Sequence, residues 1–146
     1  VKIRPATAAD IPQLIQLAQA APTGAQWSAS QYSEMFVNQS RLVMVVEDEA
    51  VRGFLVAQTK GPEWELENIV IDRQQQRRGL ATLLLNALIE NAHQSGAHSL
   101  FLEVRASNNP ARAFYTRNKF RETGRRPRYY NNPTEDAILY TLGMKD

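Results

Sequence analysis

A mixed fold of the α/β (α+β) kind, with a mostly antiparallel sheet of about six to seven strands flanked by about four helices, is predicted by three observations. The run 67–72 is extended and rich in β-branched residues, a polar loop follows, and Leu80, Leu84, Leu88 and Ala92 then recur every fourth residue, so the pattern changes from strand to helix across that loop. A second such change follows the apolar run 99–105, where asparagine at a cap and Pro110 at the first helical position start a helix, since proline lacks an N–H that would be orphaned there. Upstream, 42–47 and 51–59 are β-branched runs separated by turn residues and read as an antiparallel hairpin.

The remaining elements follow in order. Lys2-Ile3-Arg4 is a short strand stopped by Pro5. Thr7 and Asp10 cap a helix carrying Ile11, Leu14, Ile15 and Ala18, which ends before Pro22. Ser28 and Gln31 form a capping box, so a helix runs from Ser28 to about Asn38 with Tyr32, Met35 and Phe36 on one face and Trp27 as its hydrophobic staple. After Gly61-Pro62 a strand covers 64–71, and beyond the central unit come 121–126, a tyrosine-rich loop containing Pro127, and a last strand over 137–142. Between Tyr115 and Phe120 the chain needs a left-handed residue, which falls on Asn118 or Lys119.

Composition sets limits. At 146 residues one domain is expected, and 43% apolar with 22% charged residues is ordinary for a soluble globular chain. Without cysteine there is no disulfide framework, thiolate zinc site or cysteine nucleophile, and His93 and His98 have no carboxylate at ligand spacing, so no metal is expected. No apolar stretch is long enough for a membrane span and 1–20 do not read as a signal peptide, so the cytoplasm is the default location. The net charge of +2, with arginines clustered over 73–78 and 121–128, suits either a nucleic-acid reader or a holder of several phosphates.

The loop before the leucine helix narrows this choice. A helix N-terminus presents unpaired N–H groups and the positive end of the helix dipole, and Gly79 leaves the backbone open to a ligand, so an anion such as phosphate is expected. The loop lacks the Gly-Lys-Ser/Thr ending of nucleotide triphosphate sites and has one glycine where the dinucleotide fingerprint wants three. Its Gln76-x-x-Gly79-x-Ala81 pattern resembles the acetyl-CoA pyrophosphate loop of the GNAT N-acetyltransferases. The run Leu102-Glu103-Val104-Arg105-Ala106-Ser107-Asn108, together with Trp27-Ser28, Arg125-Arg126, Tyr129-Tyr130 and Glu135 to Ile138, is similar to the ribosomal-protein-alanine N-acetyltransferase (RimI-type) branch, and this likeness covers nearly the whole chain.

The resemblance implies one acetyltransferase domain over 1–146, with the strand ending at Ile71 splayed from the strand 99–104 to admit acetyl-CoA. It implies that a backbone N–H of the strand at Ile69, Val70 and Ile71 meets the thioester carbonyl, that Gln76, Arg77, Arg78, Gly79, Leu80, Ala81 and Thr82 hold the pyrophosphate, and that Asn108 holds the pantetheine or adenylate part. By the same likeness Glu103 accepts the amine proton and Tyr115 protonates the leaving sulfur. Tyr115 lies seven residues after Asn108, nearly two helical turns, which brings both toward one crevice. The implied acceptor is a protein N-terminal α-amine, that of an alanine in a small-subunit ribosomal protein; with a pKa of roughly 8 such an amine needs only a modest base. Tyr129, Tyr130, Glu135 and Asp136 are candidates for gripping it.

Other readings stand beside these. Glu103 would otherwise be a strand-end carboxylate paired to Arg105 or Arg77, and Tyr115 a core residue beside Phe114. The acceptor would otherwise be lysine or a small amine, since the coenzyme motif does not report it. A third class is a non-catalytic acetyl-CoA sensor or a ribosome- or nucleic-acid-binding module. Retention of Glu103 and Tyr115 argues against the sensor, and the lack of an aromatic platform between basic residues argues against direct nucleic-acid binding.

Overall fold

The computed structural model describes residues 1–39 and 41–144. Strand β1 (Lys2–Pro5) leads through a short 3-10 turn into α1 (Ile11–Gln19), and α2 (Ala29–Asn38) follows. Side chains take up backbone donors that a helix start leaves orphaned. The Asp10 carboxylate accepts the Thr7 N–H at 2.8 Å and the Arg4 guanidinium at 2.9 and 3.0 Å, while Ser28 and Gln31 exchange bonds of 3.1 and 2.8 Å. Trp27 meets Tyr32 edge to face with ring centres 5.8 Å apart, the expected staple.

The other elements are β2 (Arg41–Asp48), β3 (Ala50–Gln58), β4 (Glu63–Ile71), α3 (Leu80–Gln94), β5 (Ser99–Arg105), α4 (Asn109–Arg117), β6 (Arg121–Tyr130) and β7 (Glu135–Gly143). Among the described residues the strands form one sheet in the order β1-β2-β3-β4-β5-β7-β6. β1 to β4 pair antiparallel, as do β5, β7 and β6, and the two halves meet in the parallel pair β4–β5, which the α3 crossover permits. One apolar layer packs Leu80, Leu84 and Leu88 of α3 on Leu100 and Leu102; the other packs Leu14, Tyr32 and Met35 of α1 and α2 on Val45, Phe54 and Val70.

The feature that shapes the site is a bulge in β4. Val56 of β3 pairs with Asn68 and Ala57 with Leu66, so Glu67 is an extra residue. Before it Trp64 and Leu66 face the α3 layer; after it Val70 faces the α1/α2 layer, while Ile69 and Ile71 pack against the α3 side. A bulge bends its strand and increases its twist. Parallel pairing with β5 is confined to Glu63, Trp64 and Glu65, and beyond Glu65 the two strands part.

Two local expectations are corrected, and a third is resolved between its two alternatives. β6 continues through Pro127 to Tyr130 instead of giving way to a loop, because it is an edge strand with irregular register between Arg126 and Tyr130, where a missing N–H is tolerated. Pro110 is the second residue of α4, Asn108 being the cap. The left-handed residue after α4 is Lys119, with φ 75°, and Asn118 keeps φ −93°.

The buried Asp10 carries a pH prediction. Hydrogen bonds from Arg4 hold its carboxyl below the usual range, so its contribution is complete above the unfolded pKa near 4 and is lost as pH falls through the lower folded value. Asp10→Asn should destabilise the protein at neutral pH yet flatten the acid limb of the stability profile, as read by urea unfolding from about pH 7 down to about pH 3.

Candidate active site

Where β4 and β5 part, a cleft of about 570 Å³ opens. Its walls are 65–70 of β4 and 102–105 of β5, with Asn108 and Ala111 at the start of α4 and Tyr115 in its last turn, residues from the segment between Ala21 and Trp27, and Tyr129 and Tyr130 of β6. Past Glu65 the β4 edge that faces β5 has no strand pairing, which leaves alternate backbone donors and acceptors of that edge beside the cleft that Ile69 and Val70 line. A second cavity of about 360 Å³ shares Ala21, Thr23 and Val70 with the first and reaches Ile71, Arg73 and Gln76.

Three residues after Gln76 comes the cap of α3. Gly79 is the cap residue, left-handed at φ 77°, and no side chain caps the helix. The first helical hydrogen bond runs from the Leu83 N–H to Gly79 O at 3.1 Å, so the N–H groups of Leu80, Ala81 and Thr82 are the orphans of a fifteen-residue helix. A Cβ built on Gly79 meets nothing within 4 Å, and Arg77 is also left-handed at φ 67°. Gln76, Arg77 and Arg78 are exposed. The Arg78 guanidinium, however, is engaged with Gln75 and, at 3.0 Å, with Asp48 of the β2–β3 turn. Leu80 is buried in the α3 layer, so only its backbone faces the loop.

Glu103 projects from β5 into the cleft with 11% of its side chain exposed. Its partner is neither Arg105 nor Arg77 but Arg126 of β6, whose Nε lies 2.9 Å from Oε2. The approach has ion-pair distance without hydrogen-bond geometry, and Oε2 is buried with no hydrogen bond. Arg126 is itself 57% exposed and sits 5.5 Å from the Tyr129 ring centre. Arg105 instead serves as a clamp: it bonds Asn131 O and Pro133 O at 3.1 Å each and Glu135 at 3.3 Å, and lies 4.5 Å from the Tyr130 ring centre.

Tyr115 is buried between Phe114, Phe120 and Tyr140, at ring separations of 5.2, 5.6 and 6.3 Å, and it lines the cleft. Burial pushes its phenol above the ordinary value, so the group is a proton carrier at neutral pH. It is thus a core residue and a cleft residue at once. Asn108 also lines the cleft, with its side-chain oxygen accepting the Ala111 N–H at 3.2 Å as the α4 cap.

Two carboxylates expected at the acceptor side are already occupied. Glu135 accepts the Ser107 N–H at 2.6 Å and the Arg105 guanidinium, and Asp136 accepts Arg125 at 2.9 Å and the Arg128 N–H at 3.0 Å. Tyr129 and Tyr130 do reach the cleft, and burial raises the Tyr130 phenol to about 12. Sequence reasoning missed Glu65, Glu67 and Asn68. Glu65 and Glu67 alternate with Trp64 and Leu66, which reads as an outward polar face, and Asn68 follows directly; the bulge and the missing neighbour turn these residues into a wall.

Comparison with known proteins agrees with this architecture. The family model described as the acetyltransferase (GNAT) family matches residues 11–120. The [ribosomal protein bS18]-alanine N-acetyltransferase of Salmonella typhimurium is 36% identical over 134 residues, 89% of this chain and 86% of that protein. Its counterpart in Escherichia coli strain K12 is 35% identical over 129 residues, 87% and 84% of the two chains. The crystal structure of the ribosomal-protein-S18-alanine N-acetyltransferase from Escherichia coli superposes with a TM-score of 0.87 over 99% of this chain and 94% of that one, at 31% identity. The chain, with its β4–β5 split and its glycine-capped α3, belongs to the acetyltransferase (GNAT) family.

Proposed function

We propose that the protein transfers the acetyl group of acetyl-CoA to a protein N-terminal α-amine, the alanine terminus of a small-subunit ribosomal protein such as the one its relatives are named for. The observation that carries this reading is the convergence of Glu103 and Tyr115 on a cleft between parted strands that continues toward an uncapped helix N-terminus.

The residues present suit acetyl-CoA. The orphan N–H groups of Leu80, Ala81 and Thr82, with the open approach at Gly79, would take the pyrophosphate; Gln76, Arg77 and Arg78 stand around them, and Arg78 is tied to Asp48 whereas Arg77 has no ion-pair partner among the described residues. Ile69, Val70 and Ile71 would orient the acetyl group along the β4 edge that β5 leaves unpaired, and Asn108 would flank the arm beside α4. Acetyl-CoA supplies the activated acetyl thioester; the chain's own groups position it and move protons. Glu103, whose Oε2 lacks a donor, accepts the amine proton directly or through water, and the Tyr115 phenol, kept protonated by burial, delivers a proton to the departing thiolate.

A peptide with a free N-terminal alanine should be acetylated, and its N-terminally blocked copy carrying an internal lysine should not, as mass spectrometry of the products will show. Equal rates on the two would replace this reading with lysine acetylation.

A further inference from the structure

The carboxylates around the cleft are balanced except for one. Glu67 is paired with Arg41, Glu103 with Arg126, Glu135 with Arg105 and Asp136 with Arg125. Among the described residues no cation lies at ion-pair distance from Glu65, which is half-buried in the cleft wall. It occupies the last rung at which β4 and β5 still pair, opposite Phe101. Trp64 and Leu66 face the α3 layer, as do Leu100, Leu102 and Val104, so by strand alternation Glu65 and Glu103 share the other face of the sheet. Glu103 stands two residues beyond the partner of Glu65, with its buried Oε2 still lacking a hydrogen-bond donor.

We propose that Glu65 is the docking carboxylate for the acceptor's α-ammonium group, which it holds together with Glu103 before the proton is removed. This rests on the reading of the protein as an acetyltransferase of α-amines. A peptide N-terminus arrives mostly as a cation at neutral pH, because its pKa is roughly 8. Its three N–H donors can bond a carboxylate oxygen of Glu65 and the Glu103 carboxylate, which keeps 11% of its side chain open to the cleft, at once. That supplies the positive charge that the cleft lacks. Burial and the neighbouring charges of Glu67 and Glu103 raise the carboxyl pKa of Glu65, with Arg41 and Arg126 opposing, and an ammonium in contact would favour the ionised form.

Docking and catalysis separate cleanly here. A carboxylate that holds the ammonium also favours its charged form, so Glu65 assists binding and opposes deprotonation, whereas Glu103 receives the proton. Once the amine has become an amide its charge is gone, the attraction to Glu65 is lost, and the product is released. Glu65 is therefore a binding residue whose loss should appear in KM and not in kcat.

The test compares a short peptide beginning with alanine with its des-amino copy, in which a propionyl group replaces the alanyl residue, by calorimetry on the full chain with coenzyme A present. The wild-type protein should prefer the amine-bearing peptide by about tenfold or more, the range of a charge-assisted hydrogen bond. Glu65→Gln, nearly isosteric, should reduce that preference to about twofold or less, raise KM about tenfold and leave kcat unchanged or slightly higher, with acetyl-CoA affinity intact as the check on folding. Glu65→Asp keeps the charge and should retain part of the preference. An undiminished preference in Glu65→Gln, or equal losses in the Gln and Asp variants, would overturn docking by charge. A fall in kcat of about a hundredfold with KM unmoved would make Glu65 a proton acceptor instead. If the wild-type protein shows the preference but acetylates no peptide terminus, the proposed acceptor is wrong and the docking site stands.

Discussion

Tyr115→Phe should lower turnover by about 10²- to 10⁴-fold, the usual cost of losing a positioned acid, while acetyl-CoA affinity changes little. The substitution removes one hydroxyl and keeps the ring, so the contacts with Phe114, Phe120 and Tyr140 that seat it in the core persist. Thermal unfolding should accordingly shift little, which separates the chemical role from the packing role. Burial raises the phenol's pKa and holds its proton, so the rate defect should be present across the neutral range. Glu103→Gln should be the complement: a defect that shrinks at high pH, where more of the amine is already neutral and the base is needed less. Single-turnover kinetics under chemistry-limited conditions measure both. A Tyr115→Phe protein running at the wild-type rate would leave the phenol as a core residue and assign sulfur protonation to water or another donor.

Gly79→Val should weaken acetyl-CoA binding by about tenfold or more while leaving a folded protein. Two effects combine at this residue. Its φ of 77° is in the left-handed region, where a β-branched side chain costs on the order of 1 to 2 kcal/mol, an amount a domain of this size tolerates. The added side chain also enters space that no protein atom fills within 4 Å of the new Cβ, in front of the orphan N–H groups of α3. Gly79→Asn distinguishes the two, because asparagine accepts the left-handed conformation at little cost yet still carries a side chain. Calorimetry should find both variants impaired if the open approach matters, and only valine impaired if the backbone conformation alone does. Unchanged affinity in a folded valine variant would remove this loop from coenzyme binding.

Much of the site was legible because its signals are local. The strand, polar loop and four-residue leucine repeat of 67–92 identify a helix N-terminus without reference to any other part of the chain, and Gly79 falls where the left-handed cap is observed. The Ser28/Gln31 box and the Trp27 staple are readable for the same reason, since all the partners lie within a few residues. Lys119 was half legible: a left-handed residue was required near it, but whether Asn118 or Lys119 adopted it depended on how α4 unwinds.

What the sequence by itself determined was therefore the list of elements, the glycine-capped start of α3, and Glu103, Asn108 and Tyr115 at places from which they reach one crevice. What only the tertiary structure decided was which charges meet across strands distant in sequence. Arg126 faces Glu103 because β6 and β5 both flank β7, a relation that 22 intervening residues and a reversed sheet order conceal. The same folding places Glu135 and Asp136 on Arg105 and Arg125 rather than on an acceptor. The bulge at Glu67 is the most consequential of these decisions. Strand side chains alternate with a period of two, so one extra residue moves every later side chain to the other face, and no feature of 63–71 announces where that extra residue falls. That single displacement accompanies the end of the β4–β5 pairing and the opening of the cleft, in whose wall Glu65 has no ion-pair partner among the described residues.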